Sequence, residues 1–235
     1  MVNTASVLEK LRALGSPARA KSVASFFKTG EGSYSEGDRF LGISVPQVRG
    51  VVKEYRGLPL AEALKLVHSE WHEIRQAGLL FMEDLFNRAK DESAREAVVK
   101  AYLKNLDYVN NWDLVDCSAH QILGAWLEDK DRAILYKLVK SKVLWERRVA
   151  MISTYHFILK GEHRDAVKLA ELLLDDKEDL MHKASGWMLR EVGKRVDEKP
   201  LKDFLKKHSK RMPRTMLRYA VERLPAEERR RWMEK

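Results

Sequence analysis

In the stretch NNWDLVD, Trp112 and Asp116 are four residues apart, so a helix sets an indole beside a carboxylate on one face. Asp113 lies three residues before Asp116 and suits a first helical turn, where the helix dipole favours an acid. Asp116, deeper in the segment and beside Cys117, is the acid that asks for a chemical reason. Two plainer readings stand beside it: a tryptophan at helical spacing commonly belongs to a core, and an interior aspartate commonly pairs with a basic neighbour.

A longer period frames this pair. Asp113, Arg148, Lys183 and Arg218 stand 35 residues apart three times running, each opening an apolar-rich segment, and Arg75 fits as an earlier member 38 residues before Asp113. A period near 35 is that of helix pairs in HEAT-type solenoids, in which each pair buries one face on its neighbours. The five positions then form a ladder of cations interrupted at Asp113 and Asp116. Such a ladder suits a polyanion held by the rungs, with chemistry at the break.

The chain has 235 residues, with 44 Lys plus Arg against 35 Asp plus Glu and a formal charge of +9. Nucleic acid is a natural partner for that excess, and regular spacing says more than the excess itself. The length and apolar content support one elongated domain, residues 1–235. The single Cys117 allows no internal disulfide. The start MVNTASVLEKLRAL lacks the long uncharged apolar run of a signal peptide or membrane helix, so a cytoplasmic protein without membrane contact is expected.

Helices must position these residues. Apolar residues recur at three- and four-residue steps in LVHSEWHEIRQAGLLFMEDLF and AREAVVKAYLKNL, and no stretch alternates as a strand does. Pro17, Pro46, Pro59, Pro200, Pro213 and Pro225 all suit helix entrances. About twelve to fourteen helices are expected from typical helix and connection lengths, with one glycine-rich loop at residues 29–38. Gly30, Gly32 and Gly37 lack the G-x-G-x-x-G spacing of a dinucleotide site, and no P-loop follows. His68 and His72 are four apart and read as two solvated histidines of one helix rather than metal ligands, since H-E-x-x-H is missing and one cysteine makes no cluster. Neither a metal nor a cofactor is expected.

The segments WDLVD, WERRVAM and HKASGWMLREVGK, with FLGISVPQVR before them and RTMLRYAVERLP after them, resemble the AlkD family of HEAT-like-repeat DNA alkylation-repair glycosylases. The likeness runs from about Phe40 to Pro225. It implies an all-α fold, a right-handed superhelical solenoid of HEAT-like helix pairs with a basic concave groove. It also implies a monomeric, monofunctional glycosylase that removes N3- and N7-alkylated purines from double-stranded DNA without metal, cofactor or covalent lysine intermediate. Trp112 and Trp187 match the tryptophans that pack on the damaged nucleotide's sugar and backbone, Asp116 the catalytic carboxylate, and Arg148 the arginine beside it. Arg75, Lys183, Arg190 and Arg218 are the expected DNA-binding cations, and Phe26 stands where the family carries a DNA-contacting tyrosine. The resemblance further implies that the lesion is left largely stacked or solvent-facing, with catalysis from the sugar side.

Two more places depart from the family pattern. Asn111 stands where some members have a second tryptophan, and the glycine-rich loop is longer than in the shortest members. Two other functions fit the same architecture: a non-catalytic DNA-binding solenoid, and a protein-interaction scaffold, which the spaced basic rungs disfavour.

Overall fold

The structure is a computed structural model and describes residues 3–234. Among the described residues there are fourteen α-helices and no strand. They are α1 (Thr4–Ala13), α2 (Pro17–Phe27), α3 (Val45–Glu54), α4 (Leu60–Val67), α5 (His72–Arg88), α6 (Glu92–Lys104) and α7 (Trp112–Ala119), then α8 (Ala133–Leu138), α9 (Leu144–Leu159), α10 (Arg164–Leu172), α11 (Asp179–Arg195), α12 (Glu198–His208), α13 (Arg214–Ala220) and α14 (Ala226–Met233). No helix among these residues is long and apolar enough to cross a membrane.

Local chemistry sets the helix starts. The side chains of Asn3, Ser16, Asp91 and Asp197 accept from backbone N–H groups at the starts of α1, α2, α6 and α12, which would otherwise lack partners. All six prolines stand where a missing N–H costs little. Pro17, Pro46 and Pro200 lie in the first three residues of α2, α3 and α12, and Pro59, Pro213 and Pro225 immediately precede α4, α13 and α14.

Contacts gather the chain into two compact units, one reaching Ser118 and the other beginning at Ala119. In the first, α5 packs against α3, α4 and α6, and α1 packs on α3 and α4. The central helix α5 is buried on most of its surface: Ile74, Ala77, Leu79, Leu80, Phe81 and Met82 are in the core, and the polar His72, Glu73, Arg75 and Gln76 near its start are buried too. In the second unit α9, α11 and α13 pack in succession, with α8, α10, α12 and α14 flanking them. A π-helical turn, His120–Gly124, packs on α9 and widens the helix that continues from α7. The 35-residue period is thus the spacing of α7, α9, α11 and α13, with a flanking helix between each of the last three.

Close approach of α11 and α13 depends on one missing side chain. A Cβ at Gly186 would meet the Met216 carbonyl oxygen at 2.5 Å and Tyr219 Cβ at 2.6 Å. Neither neighbour can rotate away, so Gly186→Ala should force the helices apart. Overpacking of this kind costs about 1 to 3 kcal/mol, and thermal unfolding followed by circular dichroism should show a melting temperature lower by several degrees.

Candidate functional site

The first unit builds its polar centre around His72, which is 2% exposed at the start of α5. Its Nε2 lies 2.8 Å from Asp113 Oδ2 and its Nδ1 3.3 Å from Asp38 Oδ2. Arg75, one turn on, donates from Nη2 to the other Asp38 oxygen, and Gln76 Nε2 donates to Asp113 Oδ2 at 3.2 Å. Asn111 Nδ2 donates to Ser35 Oγ and, at 2.9 Å, to Asp38 Oδ2, while its own Oδ1 accepts the Trp112 N–H at 2.8 Å. Loop, α5 and the start of α7 are therefore tied through one set of side chains.

Electrostatics follows from this wiring. Burial is the strongest single influence on His72 and opposes its charge, yet hydrogen bonds and Coulombic attraction to Asp113 and Asp38 outweigh it and push its pKa up to about 9. Burial likewise raises Asp38, and is outweighed by bonds from His72 and Asn111 and by the Arg75 charge, so its carboxyl is held well below the usual range. Of the two solvated histidines expected of one helix, His68 is exposed as expected, while His72 and the shared helix are corrected. His68 follows α4 and bonds Asn105 at 2.6 Å, whereas His72 opens α5 as a buried cation, because two carboxylates from distant segments compensate its charge. No group of three or more His, Cys, Asp or Glu among the described residues is placed to hold a metal ion.

Trp112 opens α7 on an aromatic bed. Its ring stacks on Phe27 with centroids 5.2 Å apart and planes 13° apart, and Phe26 meets it edge-on at 6.2 Å. Phe26 is 68% exposed, so an aromatic edge faces solvent beside the indole. Asp116 follows Trp112 by one turn and is half-buried. Asp113 accepts from the Leu114 N–H at 2.9 Å and otherwise serves His72 and Gln76. Cys117 is a free thiol whose pKa burial pushes well up, helped by the Asp113 charge.

In the second unit Trp187, in α11, lies 5.8 Å from Tyr155 of α9, and Tyr155 meets His120 edge-on at 5.2 Å. Tyr155 and His120 carried no signal in the sequence beyond sharing the helical segments. Lys183, four residues before Trp187, is partly exposed and pairs with Asp179 at 2.9 Å. Arg218 in α13 is exposed.

The structure sets three of the expected cations against partners within the protein. Arg75 is 4% exposed and its guanidinium serves Asp38 and the Ser69 and Glu70 carbonyls, so it does not face a ligand. Arg148 is also 4% exposed, and its Nη1 donates to the Leu180 carbonyl at 2.7 Å, fixing the first turn of α11. Arg190 is held by Glu191 at 3.2 Å and by Glu222. Burial separates Arg75 and Arg148 from Lys183, which is partly exposed and paired with Asp179, and from the exposed Arg218.

The family model described as DNA alkylation repair enzyme matches residues 7–224. The chain belongs to this family. A solved structure described as a predicted DNA alkylation repair enzyme from Enterococcus faecalis is similar at 16% identity, covering 90% of this chain and 97% of that one with a TM-score of 0.68. At that identity the likeness speaks to the fold. No curated protein matches. Membership supports a role in the repair of alkylated DNA, for which an all-α fold and a basic chain are suited.

The His72 charge makes stability depend on pH. The folded state raises its pKa from 6.5 to about 9, so the ion pairs contribute fully below pH 6.5 and are lost as pH rises through about 9. At about 1.4 kcal/mol per unit, roughly 3 kcal/mol should disappear across that window. Urea unfolding between pH 6 and 9.5 should show the decline, and His72→Gln should be less stable at pH 6 and nearly flat above it.

Proposed function

We propose that this protein is a monofunctional DNA glycosylase acting, as a monomer, on cationic N3- and N7-alkylated purines in duplex DNA. The observation that carries this reading is Trp112 set on Phe27, with exposed Phe26 at its edge, one helical turn before the carboxylate of Asp116, in a chain of the DNA alkylation repair family.

The chemistry suits those residue types. An N7-alkylated guanine already bears positive charge, so its C1′–N9 bond can break with both electrons leaving on the base, which departs neutral without prior protonation. The deoxyribose is left with oxocarbenium character. A carboxylate beside it stabilises that charge and orients a water whose oxygen adds to C1′, while the water's proton passes to Asp116 and then to solvent. Preorganised charge aimed at developing charge is commonly the largest catalytic contribution. An indole face adds cation–π attraction of about 0.5 to 2 kcal/mol, from Trp112. Lys183 and Arg218 hold backbone phosphates, and Arg148 acts by fixing the start of the helix that carries Lys183 and Trp187.

Duplex DNA carrying one 7-methylguanine is the deciding substrate. Wild type should release the free base and leave an abasic site, and no release above background removes the enzyme reading in favour of a DNA-binding protein. Asp116→Asn should lower the single-turnover rate at least about 100-fold, as loss of one oriented electrostatic group does, with affinity for undamaged duplex nearly unchanged. Lys183→Ala should instead weaken binding and reduce the salt slope by about 0.9 log units per decade, the share of one neutralised phosphate.

A further inference from the structure

The glycine-rich loop at residues 29–38 and Asn111 are two of the places where the chain departs from the pattern it resembles, and they touch. Asn111 is fully buried, and its side-chain amide donates to Ser35 Oγ and Asp38 Oδ2 at the end of that loop. Its own side-chain oxygen takes the Trp112 N–H at 2.8 Å, and its main-chain oxygen accepts the Val115 N–H at 3.1 Å. One side chain therefore joins the loop to the first turn of α7. A second tie runs through His72 from Asp38 to Asp113, the residue after Trp112.

The loop is anchored in turn. Its last residue, Asp38, is gripped by Arg75 as well as His72, and Ser35 Oγ donates to Asp38 Oδ2 at 3.1 Å. Immediately beyond it the backbone N–H groups of Leu41, Gly42 and Ile43 all donate to the buried carboxylate of Glu73, at 2.8, 2.8 and 3.1 Å. Gly42, at φ +78°, lies where a Cβ would meet the Ser16 carbonyl oxygen at 2.3 Å, so the chain passes tightly against the start of α2, the helix that supplies Phe26 and Phe27. The loop end is thus fixed to α5 on one side and hands its position to α7 on the other.

We infer that Ser35, Asp38, His72 and Asn111 form a brace that positions Trp112 and Asp116, with Asn111 and His72 acting as positioning residues rather than touching the substrate. For its effect on chemistry this rests on the glycosylase reading; for its effect on α7 it does not. The loop acts as a fixed part of the platform. Its hydrogen bonds supply the rigidity that a carboxylate needs if it is to meet a sugar cation without rearranging.

Asn111→Ala removes the joining amide while leaving the His72 ion pairs in place. Hydrogen exchange followed by mass spectrometry should show the amides of residues 112–116 exchanging at least tenfold faster than in wild type, with α3 and α4 unchanged. Unchanged protection of that turn overturns the brace, as does a uniform rise across the first unit, which would mean general loosening. On 7-methylguanine duplex the same variant should lose about 10- to 100-fold in single-turnover rate, since small misplacement of a reacting group costs about that much, while its dissociation constant for undamaged duplex moves less than about twofold. A rate equal to wild type overturns the positioning role. Should wild type itself release no base, the glycosylase reading fails, and the exchange experiment still decides the brace.

Discussion

A buried imidazolium between two carboxylates is the constraint on which the first unit turns. Isolated charges in a protein interior cost several kcal/mol each, and such a group persists only when partners compensate it. Here the account closes: Asp38 and Asp113 carry two negative charges, His72 and Arg75 two positive ones, and Gln76, Asn111 and Ser35 occupy remaining hydrogen-bonding positions. Removing His72 takes a cationic partner from both carboxylates at once. Loop, α5 and α7 are consequently positioned together, and the aromatic bed of Phe27 and Phe40, each within about 5 Å of the imidazole centroid, packs around the same charge.

The second unit adds close backbone approach to its ion pairs. Gly186 lets α11 lie directly against the backbone of α13, and Arg148 ties α9 to the Leu180 carbonyl at the start of α11. A helix so held presents Lys183 and Trp187 at fixed points one turn apart. Two features hold it: the absence of a side chain at one position and a buried guanidinium bonded to a main-chain carbonyl at another. Substitutions there act on geometry before they act on charge.

Helix punctuation and period were legible in the sequence because both are local: a proline's missing N–H, a capping side chain, and an apolar spacing each act within a few residues. The ladder spacing placed Arg148, Lys183 and Arg218 in three helices that pack in succession, but it could not tell buried cations from exposed ones. That distinction depends on partners far along the chain, such as Asp38 for Arg75 at 37 residues and Leu180 for Arg148 at 32. His72 was read as solvated for the same reason: its two acids come from a loop 34 residues before it and a helix 41 residues after it. Arg190 faces Glu222 across 32 residues, close to one repeat, so the period that aligns helices also brings opposite charges together.

On the glycosylase reading, the paired acids of α7 let one segment serve structure and chemistry at once. Asp113 spends Oδ1 on the Leu114 N–H and Oδ2 on His72 and Gln76. Taking up a proton from water would cost it the ion pair that holds the unit's centre. Asp116 stands one turn further, half-buried, on the same face as Trp112. Two carboxylates three residues apart thereby have different surroundings: the first accepts from the buried His72 and from Gln76, and the helix start it anchors carries the second one turn on. A helix start held this firmly is what lets a short side chain such as aspartate act at a distance set by the fold instead of by its own rotamers.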